Sequence, residues 1–212
     1  MIVNERIRDY IHSLEKSRGE ILDHIEQEAR QDGVPIIKKE TAAFLETMVA
    51  SIRPSAILEV GTAVGYSALL MSRVMPPHCQ ITTIENYEKR IIKARENFER
   101  AGETRIHLLD GDAGQILKTL NGPYDLIFMD AAKGQYIHWL PDILRVLASR
   151  GVLISDNVLQ DGRIVESRFA VERRDRTIHS RIREYLFTLT HHPELISSII
   201  PIGDGVALST KK

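Results

Sequence analysis

The chain has 212 residues, 43% of them hydrophobic and 27% charged, and carries a formal net charge of -1. That length suits one sizeable domain with a real core, and the balanced charge excludes a polycation that coats nucleic acid. The single cysteine, Cys79, excludes an intramolecular disulfide and a thiolate zinc site, so a reducing, cytoplasmic setting is expected.

The opening stretch, MIVNERIRDYIHSLEKSRGE, is charged throughout and lacks the apolar core of a signal peptide. No apolar run approaches the length of a membrane span, so no membrane partner is expected. Ile7, Tyr10, Ile11 and Leu14 recur at helical spacing, and so do Ile21, Leu22, Ile25 and Ala29. Asp32-Gly33-Val34-Pro35 breaks the pattern, and a third helix is predicted from about Lys39 to Ile52, closed by Arg53-Pro54. From Ala56 the rhythm changes. AILEVG, QITTIE, RIHLLD, YDLIFMD and GVLISD are short apolar runs separated by helical patterns, which predicts a parallel sheet covered on both faces. A long polar helix is expected from about Val171 to Thr190. LISSIIPI and VALST then flank Gly203-Asp204-Gly205 as a hairpin, which puts one antiparallel strand into the sheet. The whole reads as one domain, 1–212, with a helical cap over 1–53 and an α/β core over 54–212.

In open α/β sheets ligands bind beyond the carboxyl ends of the strands. The first strand leads into Gly61 and Gly65, spaced G-x-x-x-G and not as the G-x-G-x-x-G of a dinucleotide fold, which argues against a pyrophosphate cradle and a nucleotide-dependent oxidoreductase. Glu59 stands just ahead of that turn. Glu85 ends the second strand, where a carboxylate can take both hydroxyls of a ribose. Asp112 and Ala113 follow the third, where an adenine edge can be read. Together they favour a nucleoside that carries positive charge and no phosphate, a description S-adenosylmethionine meets. The fourth and fifth apolar runs stop at oxygen ligands: Asp130, with Lys133 three residues on, and Asp156-Asn157.

ILEVGTAVGYSALL, TIE, GDA, FMDAAKGQY and ISDNV, in this order, resemble the cation-dependent O-methyltransferases of the catechol and caffeoyl-CoA type. VPIIKKE, AAKGQY and IPIGDGVALS further resemble the branch that methylates 5-hydroxyuridine in bacterial tRNA. The resemblance implies a Rossmann-like class I S-adenosylmethionine methyltransferase fold: a seven-stranded, mostly parallel sheet with an antiparallel last strand and a helical N-terminal cap. It also implies a homodimer. By the same resemblance the donor is held by Ile37, Glu59, Gly61, Thr62, Gly65, Ser67, Glu85, Asp112, Ala113 and Asp130. Asp130, Asp156 and Asn157 hold the divalent ion, and Asp130 and Lys133 are catalytic, with Lys133 as the base. An all-oxygen set of two carboxylates and an amide suits Mg²⁺, with Mn²⁺ as a possible substitute.

A catechol offers such an ion two vicinal oxygens, and so does 5-hydroxyuridine through its C5 hydroxyl and C4 carbonyl. Arg163, Arg168, Arg173, Arg174, Arg176, Arg181 and Arg183 outweigh Glu166, Glu172 and Asp175 by four charges, a stretch suited to phosphate. The expected partner is therefore the anticodon stem-loop of a tRNA. Arg173, Arg174 and Arg176 are candidates for RNA contact, and Tyr136, His138 and Trp139 for stacking on a flipped base. Trp139 and Leu140 also read as core. The alternatives are a small-molecule catechol or caffeoyl-CoA-type enzyme and a non-catalytic RNA-binding module, which would leave Asp130, Lys133, Asp156 and Asn157 unexplained.

Overall fold

The computed structural model describes residues 2–167 and 169–212; Arg168, one of the seven arginines, lies outside them. Three helices come first: α1 (Glu5–Ser13), α2 (Glu20–Gln31) and α3 (Lys39–Ile52). Asn4 caps α1 by accepting from the Arg6 amide. Arg53, in the left-handed conformation ahead of Pro54, ends α3.

Strand and helix then alternate as the apolar periodicity predicts: β1 (Ala56–Val60), α4 (Tyr66–Ser72), β2 (Gln80–Glu85), α5 (Glu88–Arg100), β3 (Ile106–Asp110), α6 (Ala113–Thr119), β4 (Tyr124–Met129), α7 (Tyr136–Val146) and β5 (Leu147–Ser155). A short 3-10 turn, Lys133–Gln135, precedes α7, and another 3-10 segment, Gln160–Val165, follows β5. The chain closes with α8 (Arg176–His191), β6 (Leu195–Ile200) and β7 (Val206–Lys211). The strands form one seven-stranded sheet in the order β3-β2-β1-β4-β5-β7-β6. β1 to β5 are parallel, and β7 runs antiparallel to both β5 and β6. The long polar helix begins at Arg176 and not at Val171. Val171 is buried, and a turn in which the Asp175 amide donates to the Glu172 carbonyl fills the interval.

Alternation along the strands divides the core. Ile57, Ile81, Leu126, Phe128 and Ile154 pack with α2 to α5, while Leu58, Ile84, Ile127, Met129 and Leu153 pack with α6 to α8. A sheet buried on both faces leaves its strand ends as the place where polar side chains collect. Strand order reverses between β1 and β4, the switch point at which open α/β sheets bind ligands. Among the described residues no helix is long and apolar enough to cross a membrane.

Candidate active site

A cavity of about 800 Å³ lies over the carboxyl ends of β1, β2, β4 and β5. Its floor starts at Gly61. A Cβ built there falls 2.1 Å from the Asp130 carbonyl oxygen, and φ is +104°, so both space and conformation require glycine. The Asp130 amide donates back to the Val60 carbonyl at 3.0 Å. The loops after β1 and β4 are thus in backbone contact. Gly65 serves differently: a Cβ there falls 2.5 Å from the Phe98 ring, so this glycine lets the start of α4 close on α5.

Glu85 lines the cavity with its carboxylate held in place. Oε2 accepts from the Ala63 amide at 2.9 Å, and Oε1 accepts from the Asn86 and Tyr87 amides at 3.0 Å each. Asp112 caps α6, its Oδ1 accepting from the Gln115 amide at 3.0 Å, and leaves Oδ2 for a ligand. Ile37, Gly61, Glu85, Asp112, Ala113 and Asp130 all border this one cavity.

Glu59, Thr62, Gly65 and Ser67 do not border it and lie in the layer behind. For Glu59 the expected donor contact is corrected, because the side chain is fully buried and both its oxygens are engaged. Ser67 Oγ donates to Oε1 at 2.5 Å, and Thr83 Oγ1 donates to Oε2. Thr62 Oγ1 in turn shares a hydrogen bond of 2.6 Å with Thr83 Oγ1. Burial raises the Glu59 carboxyl to about 7, and the negative fields of Asp130 and Glu85 add to the effect while the two hydroxyls oppose it. This polar network braces the glycine loop from below.

At the other end of the cavity stand Asp130, Lys133, Asp156 and Asn157. Lys133 Nζ donates to Asp130 Oδ1 at 2.9 Å. Asp156 is buried, and its Oδ1 has no hydrogen-bond partner. Burial first and Asp130 second push its carboxyl well above the usual range. Asn157 takes φ +61°, a left-handed conformation that asparagine tolerates, and this turns the chain immediately after β5. Among the described residues no three His, Cys, Asp or Glu side chains are placed to hold a metal ion by themselves. Two carboxylates with an amide oxygen nevertheless fit a hard cation, and the orphaned Asp156 oxygen is where one would compensate the crowded charge.

Tyr136 is fully buried, which corrects its expected role as a stacking surface for a base. Its hydroxyl accepts from the Ala131 amide and donates to the Met129 carbonyl, each at 3.1 Å, and its ring meets Tyr185 edge-on. It props the loop that carries Asp130. His138 is exposed and stands outside the cavity wall, whereas Trp139 is half-buried in that wall. A Cβ on Gly114 would lie 3.1 Å from the Trp139 Nε1, so the indole flanks the Asp112–Gly114 end. Trp139, expected either as a stacking surface or as core, thus lines the cavity, and so do Asn86 and Arg90, which no motif marks.

Three arginines of the basic stretch bond to nearby backbone. Arg176 donates to the Val171 and Phe169 carbonyls, Arg181 to Gly134 and Arg183 to Ile164. Arg174 pairs with Glu172 at 2.9 Å, and Arg163 approaches Asp175 at 3.9 Å. Arg176 is therefore a staple of the loop ahead of α8. Arg173 and Arg174 stay exposed.

A doubly wound sheet with an antiparallel β7, glycines after β1 and carboxylates after β2, β4 and β5 defines an enzyme that sets a nucleoside-bearing donor against an oxygen-ligand cluster. Residues 12–212 match the family model described as O-methyltransferase, and the chain belongs to that family. It is an S-adenosylmethionine-dependent O-methyltransferase. Among similar proteins, a catechol O-methyltransferase of Niastella koreensis is 30% identical over 76% of this chain and 76% of its own. A caffeoyl-CoA O-methyltransferase of Citrus natsudaidai is 29% identical over 79% of this chain and 76% of its own. The SAH-bound methyltransferase PaMTH1 of Podospora anserina superposes with a TM-score of 0.88 at 26% identity, covering 99% of this chain and 97% of the other.

Proposed function

We propose that the enzyme methylates one oxygen of a small catechol-type substrate, a vicinal dioxygen compound, in the presence of Mg²⁺. The observation that carries this reading is the pairing of Asp130 and Asp156 beside Asn157 and Lys133 at one end of the cavity, with the buried Asp156 Oδ1 unpartnered. Asp130, Asp156 and Asn157 would hold the ion. When bound, the ion supplies Lewis-acid charge that favours the ionised form of a neighbouring hydroxyl. Lys133, once it has given up its own proton to solvent and is a neutral amine, takes the hydroxyl proton. The oxygen lone pair then attacks the donor methyl carbon, the C–O bond forms, and the C–S electron pair returns to sulfur, which leaves as a thioether. Ile37, Glu85, Asp112, Ala113 and Trp139 bind and orient the donor, and alignment of the two reactants is the main contribution of the protein. The names of the relatives support a catechol or caffeoyl-CoA-type acceptor.

A second reading keeps the same chemistry on 5-hydroxyuridine in a tRNA anticodon stem-loop. It is favoured by Arg173 and Arg174, exposed on the segment that follows the Asp156-Asn157 turn. A homodimer is proposed on a separate observation: Ile7, Tyr10, Ile11 and Leu14 form one apolar stripe on α1 and remain exposed, a face suited to a second copy. Light scattering at micromolar protein tests it, and a monomeric mass removes it.

The deciding experiment offers labelled donor with catechol or with tRNA bearing 5-hydroxyuridine, under Mg²⁺ or chelator. Chelator-sensitive methylation of catechol, lost by at least about 100-fold in Asp156→Ala while donor binding persists, is the expected result. Methylation of tRNA with catechol untouched would replace the first reading by the second. Full activity of Asp156→Ala would remove the metal assignment from both.

A further inference from the structure

The two sequence motifs not absorbed by the chemistry, VPIIKKE and IPIGDG, meet in space. Lys38 Nζ hydrogen-bonds Asp204 in the β6–β7 turn and Asp161 after β5, the latter at 3.1 Å. These partners are 166 and 123 residues away along the chain. The turn itself is wedged in place. A Cβ on Gly203 would fall 2.3 Å from Thr41 Oγ1 on α3, and one on Gly205 would fall 2.3 Å from the Leu159 side chain. On the far side, the Val158 amide donates to the Gly205 carbonyl at 2.9 Å, and the Leu159 amide donates to the Asp204 carbonyl at 3.0 Å. A continuous path therefore runs from the 35–38 segment, which lines the cavity, through Lys38 and Asp204 to the backbone just beyond Asp156-Asn157.

We propose that Lys38 is a positioning residue that couples closure of the 35–38 segment over the donor to the placement of the loop following β5. An isolated exposed ion pair contributes little. Lys38 instead bridges two carboxylates, and Asp204 exposes only 17% of its side chain. The four residues preceding α3, Pro35, Ile36, Ile37 and Lys38, all line the cavity wall, with Lys38 adjoining the helix. Donor binding beneath Ile37 fixes that segment, and Lys38 passes the constraint to Asp204 and Leu159. The proposal rests on the donor site described above.

The test is hydrogen exchange of the whole protein with and without S-adenosylhomocysteine, read over residues 158–165, none of which lines the cavity. In the wild type, saturating S-adenosylhomocysteine slows exchange there by about fivefold, the factor equivalent to about 1 kcal/mol. With each variant saturated at the S-adenosylhomocysteine affinity that calorimetry gives for it, Lys38→Met loses the slowing, Lys38→Arg restores it, and Asp204→Asn behaves as Lys38→Met. Equal slowing in Lys38→Met and wild type overturns the proposal, as does its absence in a wild type that binds the compound. A wild type that binds no S-adenosylhomocysteine overturns the donor site and this proposal together.

Discussion

Glu59→Gln isolates the cost of keeping a carboxylate under the glycine loop. In the folded chain the Glu59 carboxyl is raised from 4.5 to about 7, chiefly by complete burial. That difference is equivalent to about 3 kcal/mol between its two protonation states. Below about pH 4.5 both folded and unfolded chains hold the proton. Between 4.5 and about 7 the folded chain holds it and the unfolded chain does not, so unfolding free energy falls as pH rises; above 7 the loss is complete. Glutamine keeps the shape and carries no charge. Its carbonyl oxygen can accept from Ser67, and Thr83 can turn its hydroxyl to Thr62 to receive the amide. Urea unfolding at fixed temperature from pH 4.5 to 8 is the assay. The variant should gain on the wild type by about 3 kcal/mol across that range, because the difference cancels every other titrating group to first order. A variant-minus-wild-type difference that stays flat from pH 4.5 to 8 would refute the reasoning, and Glu59 would then titrate like a surface carboxylate.

Gly61→Ala sets a methyl group 2.1 Å from the Asp130 carbonyl oxygen at a positive φ, and neither backbone segment can yield without moving a strand end. A loss of at least about 2 kcal/mol is expected, seen as a fall in Tm of about 4–8 °C; an unchanged Tm would mean that the two loops are not in contact. Tyr136→Phe leaves the Ala131 amide and the Met129 carbonyl without their hydroxyl partner. Stability should drop by about 1–3 kcal/mol, with turnover reduced more than donor affinity; unchanged kcat and Tm together would remove its role as a prop.

The parallel sheet and its hairpin were legible because their signals are local. Each apolar run is bounded by turn residues, and Gly203-Asp204-Gly205 sits where β6 must turn into β7. Strand-end carboxylates were legible for the same reason, since the end of an apolar run is visible in sequence. The depth of a side chain relative to the cavity was not. Glu59 and Glu85 both belong to strands and both read as donor contacts, yet Glu59 faces inward onto Ser67 and Thr83 while Glu85 faces the cavity. Tyr136, expected as a stacking surface, is fully buried against Tyr185, while Trp139, on the same helix, is half-buried and lines the cavity. Net charge says nothing of how each arginine is used. A guanidinium has five donors, and Arg176, Arg181 and Arg183 each place one or two of theirs on carbonyls of the loops beside the site, which a surplus of four charges does not reveal.

That use of arginine bears on how the two ends of the cavity are kept in register. Methyl transfer needs the donor carbon and the acceptor oxygen within contact distance and in line with the departing sulfur, and small displacements are costly. The loops that hold the two reactants are far apart in sequence, so the register cannot come from chain connectivity. It comes from backbone against backbone where Gly61 meets the Asp130 carbonyl, from the Tyr136 hydroxyl that binds both the Met129 carbonyl and the Ala131 amide, and from Arg181 on the Gly134 carbonyl in the turn that carries Lys133. Main-chain contacts of this kind leave the neighbouring side chains free to vary. The strand ends and the turns beside them thus keep a fixed relation that does not depend on which side chains line the cavity.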